Sequence, residues 1–187
     1  MTQIKYGLSH VKVAKRTVSA EGTVSYATPI DLPGAVSFST ELNQSEVSFY
    51  ADNKLYYHNQ AKTSEGGDLE LADIPRDILL DYLGYVKDSN GGILETNSLT
   101  AAKCAIMFQV ETDSKARKFI LYNCSLASGS EEFSTVESEV TPQTSTITVT
   151  ASGEDVGDVT VFKKVLEADD DGYDTAFTNV PMPKPAE

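Results

Sequence analysis

Alternating apolar and polar side chains dominate this sequence and predict short β-strands from about residue 10 to residue 165. The clearest example lies at residues 103–124, where two alternating runs flank a polar turn at residues 112–116. The side chains expected to share one face are Cys104, Ile106, Phe108 and Val110 in the first run and Lys118, Ile120, Tyr122 and Cys124 in the second. This pattern predicts a β-hairpin.

The position of the turn fixes the register that this hairpin should adopt. For a turn centred on Ser114, the predicted neighbours are Cys104 and Cys124, Phe108 and Ile120, and Glu111 and Arg117. A catalytic thiolate would be the alternative role for a cysteine, but it needs a base or a cation, and the two histidines are far away in sequence. We expect packed, reduced thiols, although cross-strand geometry would also permit a disulfide.

The rest of the chain predicts further short strands and one helix. The Asp52-Asn53, Gly66-Gly67 and Gly91-Gly92 pairs are expected to form turns between strands. A helix is predicted at about residues 74–83, because Ile74, Ile78 and Tyr82 recur at helical spacing before Gly84. The predicted fold is mainly β: an antiparallel β-sandwich or barrel with one short flanking α-helix.

Two aromatic doublets, Phe49-Tyr50 and Tyr56-Tyr57, lie on either side of the Asp52-Asn53 turn. Successive side chains of a strand point to opposite faces, so a core can take only one member of each doublet. The other member must meet solvent or another molecule. Surface tyrosines are common, but aromatic residues are enriched where proteins meet, and we predict that Phe49, Tyr50, Tyr56 and Tyr57 form a subunit contact.

The charge of the chain limits its partners. A formal net charge of −13 argues against a nucleic acid as an attractive ligand, because such binding depends on basic groups. No apolar run approaches the roughly 18 residues of a membrane span, and no secretory signal pattern is visible, so no membrane anchor is expected. Basic residues gather in the first 20 positions and acidic residues after position 166, which is typical of solvated termini or of subunits that join head to tail.

The same composition predicts two parts. Residues 1–166 should form one β domain, and residues 167–187, which are acidic and contain proline, should stay flexible unless a neighbour orders them, because they bury too little apolar surface alone. We find no complete phosphate loop, dinucleotide fingerprint, nucleophile elbow or metal-ligand spacing. We therefore expect no catalytic residue, cofactor or metal, and a protein that is not an enzyme.

Six short blocks follow one another in a characteristic order. They are Leu32-Pro33-Gly34-Ala35-Val36, Phe49-Tyr50-Ala51-Asp52, Asp68-Leu69-Glu70-Leu71-Ala72, Ile74-Pro75, Leu121-Tyr122-Asn123-Cys124 and Pro142-Gln143-Thr144. Together with the Tyr6-Gly7-Leu8 start and the single helix, they make residues 4–165 resemble the major tail proteins of long-tailed, non-contractile bacteriophages. Each block is weak alone, and their order carries the resemblance.

The resemblance implies a structural virion protein without catalytic residues. In that family a β-sandwich subunit forms hexameric rings, which stack into a hollow tube around the tape-measure protein and later conduct DNA during ejection. The implied partners are other copies of the chain, the tape-measure protein and other tail proteins at the two tube ends. The implied location is the virion tail, after assembly in the cytoplasm of the bacterial host.

Two hypotheses follow for individual residues. Residues 42–65, the longest polar and aromatic stretch, should reach a neighbouring subunit or ring, and Glu41, Glu46 and Asp52 should line the lumen and keep DNA from sticking. Such repulsion acts over about 8 Å at physiological salt. The alternatives are a carbohydrate-binding or other β-sandwich interaction module, an enzyme, or another tube-like tail component, since a sandwich alone does not decide function. The chain has no tryptophan, which argues against a sugar-binding cleft.

Overall fold

The computed structural model describes residues 4–97, 101–112, 115–131, 133, 135 and 142–185 of the 187-residue chain. The described part contains thirteen β-strands and one short α-helix, which confirms the mainly β fold. The strands are β1 (Lys5–Val18), β2 (Val24–Tyr26), β3 (Ile30–Asp31), β4 (Ala35–Ala51), β5 (Lys54–Leu71), β6 (Val86–Lys87), β7 (Ile93–Leu94), β8 (Cys104–Thr112), β9 (Arg117–Glu131), β10 (Ser145–Ala151), β11 (Glu154–Val156), β12 (Val159–Val161) and β13 (Lys163–Leu166). The helix is α1 (Arg76–Asp81). No helix in the described residues is long and apolar enough to cross a membrane.

Nine strands form one antiparallel sheet that curls around the core. Its main order is β2-β1-β8-β9-β10-β5-β4, with β3 added to β1 and β13 added to β9. Strand β9 is long enough to pair with β8 and β13 through its first half and with β10 through its second half. Phe38 of β4 contacts Phe108 of β8 edge to face, with ring centroids 5.2 Å apart, so strands distant in the sheet order meet across the core.

The β8–β9 hairpin is confirmed, but only part of the predicted register is correct. Cys104 does lie beside Cys124. A β-bulge before Ile106 then shifts the pairing by one residue, so Phe108 lies beside Phe119 and Val110 beside Arg117. The predicted pairs Phe108–Ile120 and Glu111–Arg117 were therefore wrong, because the extra residue of a bulge moves every later side chain to the other face.

The corrected register divides the apolar side chains between two clusters. The main core contains Ile106, Phe108 and Leu121 together with side chains from β1, β5, β10 and α1. Ile120 and Tyr122, which the alternation placed on the same face as Ile106, belong instead to a second cluster on the opposite face of the sheet. The turn at residues 112–116 lies partly outside the described residues.

Helix α1 is shorter than the predicted segment. Pro75 occupies the N-cap position, and Gly84, with a φ of 79°, follows the helix in the left-handed conformation that favours glycine. Asp73 does not cap the helix, since its Oδ1 accepts a hydrogen bond from the adjacent amide of Ile74 at 2.9 Å. The helix packs on the core through Ile78, which is 2 % exposed.

The segment after Leu166, predicted to be flexible unless a neighbour orders it, packs on the second cluster of its own chain. We call residues 167–181 the C-terminal strap. Its apolar side chains contact a group that includes Met107, Ile120 and Tyr122; those side chains are Tyr173, Ala176, Phe177 and Val180. The strap has few apolar residues, but these cover a sheet face to which Tyr26 and Val161 also contribute, and the sequence pattern does not reveal this.

Polar contacts also hold the strap. The buried Lys118 donates a hydrogen bond to the carbonyl of Tyr173 at 2.7 Å, and its ammonium lies 4.1 Å and 4.6 Å from the ring centroids of Tyr173 and Phe177. Tyr122 donates to the carbonyl of Pro181 at 2.6 Å. Burial raises the pKa of the Tyr122 phenol. The phenol therefore stays a neutral donor at physiological pH.

A buried polar network fastens the β11–β12 hairpin to β1 and β2. Glu154 is 3 % exposed and accepts hydrogen bonds from Nε and Nη2 of Arg16, at 2.8 and 2.6 Å, and from the Tyr26 hydroxyl at 2.9 Å. The hydroxyl of Tyr26 in turn accepts the amide of Asn123 at 3.1 Å. The ion pair raises the pKa of Arg16, and burial raises the pKa of Tyr26. Because every member has partners, burying the charge is tolerable here.

Candidate assembly surface

The outer part of the β4–β5 hairpin is the largest feature of the fold that does not pack on the body. Residues 41–61 are exposed, apart from the half-buried Ala51 beside the turn. Asp52 and Asn53 form that turn with φ of 51° and 61°, the left-handed pair that a two-residue hairpin connection requires. The predicted turn is present, and it joins two strands of 17 and 18 residues where the sequence suggested separate short pieces.

Gly66-Gly67, expected to be a turn, lies inside β5 instead. A Cβ at Gly67 would overlap the carbonyl oxygen of Ser39 in β4, and a Cβ at Gly66 would overlap that of Val149 in β10. The turn prediction was therefore wrong: both glycines are required because the backbones of neighbouring strands approach too closely for a side chain.

The four aromatic residues of the predicted subunit contact lie together at the tip of this hairpin. Phe49, Tyr50, Tyr56 and Tyr57 are 57, 67, 78 and 53 % exposed. Phe49 and Tyr57 are cross-strand partners, and Phe49 also meets Tyr56 edge to face with centroids 6.4 Å apart. The structure brings all four into one exposed aromatic tip but buries neither doublet, since the core ends well before this point.

Strand β4 also leaves backbone groups available. It is the last strand in the main sheet order, so only β5 pairs with it among the described residues. Its other edge presents a row of unpaired amides and carbonyls along 17 residues. An edge of this length is a template for pairing with another chain.

The three acidic residues expected to line a lumen do not form a cluster. Glu41 lies at the base of the hairpin, Glu46 in the middle and Asp52 at the turn. Glu41 and Glu46 are five residues apart on β4, and β4 has no extra residue between them. Successive side chains of a strand alternate between its faces, so these two glutamates lie on opposite faces. Glu46 already has partners: His58 Nδ1 at 3.5 Å and the hydroxyl of Ser48 at 3.2 Å.

The charged termini are also partly neutralised within the chain. Lys12 pairs with Asp31 at 2.5 Å, and Lys115 pairs with Asp169 at 2.6 Å. Arg117 pairs with Glu167 at 3.0 Å. These ion pairs neutralise charges within the chain that could otherwise attract a neighbouring subunit head to tail.

The described residues offer little for chemistry. They contain no group of three or more His, Cys, Asp or Glu side chains placed to hold a metal. An open polar groove of about 280 Å³ runs over Gly66, Asp68 and Thr148 on the outer face of the sheet. Asp68 accepts a hydrogen bond there from Thr148 at 2.9 Å.

Both cysteines are packed as predicted. They are free and buried, and each thiol donates to a carbonyl, Cys104 to Cys124 at 3.6 Å and Cys124 to Leu121 at 3.4 Å. Burial raises the pKa of Cys104 and raises that of Cys124 to about 12. Neither thiol is available as a nucleophile at neutral pH.

Three charged residues at the base of the hairpin were not singled out by the sequence. Lys62, Glu65 and Lys163 form one contact there, with Glu65 only 4 % exposed. In the sequence, only the position of Glu65 next to Gly66-Gly67 marks this contact. Lys163 lies 98 residues away, so no local pattern connects it to Glu65.

Comparison with known proteins identifies the family. A family model described as phage tail tube protein matches residues 15–183. The search of curated proteins finds no match. One similar solved structure is the cryo-EM structure of the anti-feeding prophage cap (AFP tube terminating cap), with 13 % identity over 88 % of this chain and 94 % of that chain and a TM-score of 0.41, a likeness from which we draw no conclusion.

The family match extends through the whole C-terminal strap, beyond the residues on which the resemblance depended. It favours a structural component of the virion tail over a carbohydrate-binding module or an enzyme. The chain belongs to the phage tail tube protein family.

Proposed function

We propose that this protein is the repeating subunit of a tail tube, in which hexameric rings stack into a hollow cylinder around the tape-measure protein. The cylinder then conducts DNA during ejection, and other tail proteins close its two ends. Family membership supports the tail-tube role, and the surface of the β4–β5 hairpin supports self-assembly.

The observation that carries this proposal is the aromatic tip. Large side chains are exposed on both faces of the hairpin: Phe49 and Tyr57 pair on one face, and Tyr50 and Leu55 pair on the other. A soluble monomer rarely exposes a contiguous patch this large without a function. A ribbon lying flat on its own body would cover one face, whereas both faces are covered when a neighbouring molecule surrounds the tip.

The free edge of β4 supports ring formation. Pairing this edge with a different surface of the next copy is a heterologous contact, and repeated heterologous contacts close into a ring or continue as a filament. Six copies that close through one surface and stack through another would give a tube. The exposed edge and the exposed tip are two such surfaces on one element.

The net charge of −13 supports passage of DNA without adhesion. We keep Glu41, Glu46 and Asp52 as candidates for the lumen wall. Because Glu41 and Glu46 occupy opposite faces of β4, the face that points inward decides which of them acts on DNA. A tube structure with a basic lumen would overturn this part of the proposal.

Electron microscopy of the purified full chain tests the proposal. We expect rings or tubes in negative stain, and we expect the protein to be among the most abundant bands of purified virions. Replacing residues 46–60 with Asn-Gly, a pair suited to a two-residue turn, should leave a folded monomer that forms no tubes.

The melting temperature of the shortened variant provides the control for folding. Normal tubes from the shortened chain would rule out the hairpin as the assembly element. A wild-type protein that stays monomeric at all concentrations would contradict the tube proposal itself.

A further inference from the structure

The β4–β5 hairpin joins the main sheet only at its base, where β5 pairs with β10 from Glu65 onwards. Beyond this place both strands are exposed, so nothing else in the described chain limits the direction in which the hairpin points. A two-stranded ribbon on its own twists and bends easily. The contacts at the base therefore determine where the aromatic tip is placed.

Glu65 is the centre of these contacts. Its carboxylate is 4 % exposed, and Oε2 accepts the ammonium of Lys62 at 2.5 Å while Oε1 binds the ammonium of Lys163. Lys62 belongs to the hairpin itself. Lys163 belongs to β13, where it pairs with Leu121 of the central strand β9. The Glu65–Lys163 ion pair thus joins the hairpin to the body.

A second contact runs between the same two elements. The ammonium of Lys62 lies 4.7 Å from the ring centroid of Phe162, the residue before β13. A cation over a ring face is attracted to it, because the face of an aromatic ring carries partial negative charge. Lys62 and Lys163 hold Glu65 from both sides.

The backbone bends at the same position. Asn43 pairs with Ser64 and Gln44 pairs with Lys62, which leaves Thr63 as the extra residue of a β-bulge. The hydroxyl of Thr63 donates to the carbonyl of Asn43 at 3.2 Å across the ribbon. Bulges bend the strand that contains them and increase its twist, so the direction of the hairpin changes where the charged residues meet.

We propose that Lys62, Glu65, Phe162 and Lys163, here called the base clamp, fix the angle at which the hairpin leaves the body and so position its aromatic tip for subunit contact. The last step rests on the proposed function. From Leu42 to Ala51 the hairpin extends about 30 Å at 3.3 Å per residue, so a change of about 10° at the clamp moves the tip by about 5 Å. A displacement of that size separates packed side chains completely.

Distance measurement in the monomer tests the clamp without requiring assembly. Spin labels at Lys54→Cys, near the tip, and Glu21→Cys, on the body, report the angle of the hairpin, while the native thiols are buried. We expect a narrow distance distribution in the labelled parent. Glu65→Gln and Lys163→Met should shift or broaden it by about 5 Å.

Two variants serve as controls. Lys163→Arg keeps the charge and should preserve the parent distribution. Glu46→Gln removes an exposed carboxylate beyond the clamp and should also preserve it. Because the Lys163 side chain is one-third exposed, Lys163→Met keeps the test available if Glu65→Gln does not fold.

The outcomes separate this inference from the proposed function. An unchanged distribution in the folded clamp variants would overturn the clamp. A changed distribution with normal tube formation would overturn its role in positioning the contact. A wild-type chain that forms no tubes would instead contradict the proposed function, and the distance result would still decide whether the clamp sets the angle.

Discussion

Replacing Phe49 with serine should weaken tube assembly strongly and leave the monomer intact. Phe49 is 57 % exposed at the hairpin tip, so about 100 Å² of its surface is available to a neighbour. At about 25 cal/mol per Å², complete coverage is worth about 2.5 kcal/mol. That free energy corresponds to a roughly 60-fold rise in the concentration needed for assembly, because each added subunit loses the same contact.

The assay is sedimentation of assembled tubes over a range of protein concentrations, with the monomer followed by thermal unfolding. The melting temperature should change little, since the tip lies outside both apolar clusters. Leu94→Ser is the matched control, because Leu94 is 46 % exposed on β7, which belongs to a separate two-stranded sheet. An unchanged critical concentration for Phe49→Ser, or an equal effect in the control, would refute the tip as a contact.

Three further predictions concern the fold itself. Gly67→Ala should destabilise the protein by more than about 4 kcal/mol in denaturant titrations, because the added methyl meets the Ser39 carbonyl and strands must separate; wild-type stability would contradict the close approach. Cys104 and Cys124 should not react with a thiol reagent at pH 8 until the protein unfolds, since burial raises both pKa values; rapid labelling of the native protein would disprove this. Burial acts to raise the pKa of Glu65, but the hydrogen bonds from its two lysines outweigh burial and lower this pKa. The wild-type protein should therefore be more stable than Glu65→Gln at neutral pH, and this difference should shrink as pH falls below about 4.5. A difference that grows in acid would contradict the lowered pKa.

Local sequence chemistry predicted the features that depend on neighbouring residues. Asp52-Asn53 tolerates the left-handed conformation, and the turn is found there. Ile78 and Tyr82 lie one helical turn apart, and both are buried beneath α1 as the spacing predicts. Cys104 and Cys124 are paired neighbours, as the alternation and the position of the turn predicted.

Features that depend on distant strands were not predictable in the same way. A single bulge before Ile106 places Ile120 and Tyr122 on the face opposite to the predicted one, and no residue type in the sequence predicts that bulge. Gly66-Gly67 resembles a turn in sequence, yet the reason for both glycines is the proximity of β4 and β10, which only the folded sheet creates.

The candidate site shows the same division. The exposed aromatic residues were predicted from the doublets alone, because alternation forbids burying both members. Only the tertiary structure shows that all four are exposed and that Glu65 lies between lysines from two different strands.

By itself, the sequence determined that the protein is a strand-rich, acidic chain with one helix, a long polar and aromatic stretch around a turn, and the ordered blocks of a tail protein, since these follow from residue type and short-range spacing. The tertiary structure alone decided the register beyond the bulge, the packing of the C-terminal strap and the contacts that hold the hairpin. The physical reason is that these depend on backbones and side chains that approach one another from far apart in the chain, and no local pattern encodes such distances.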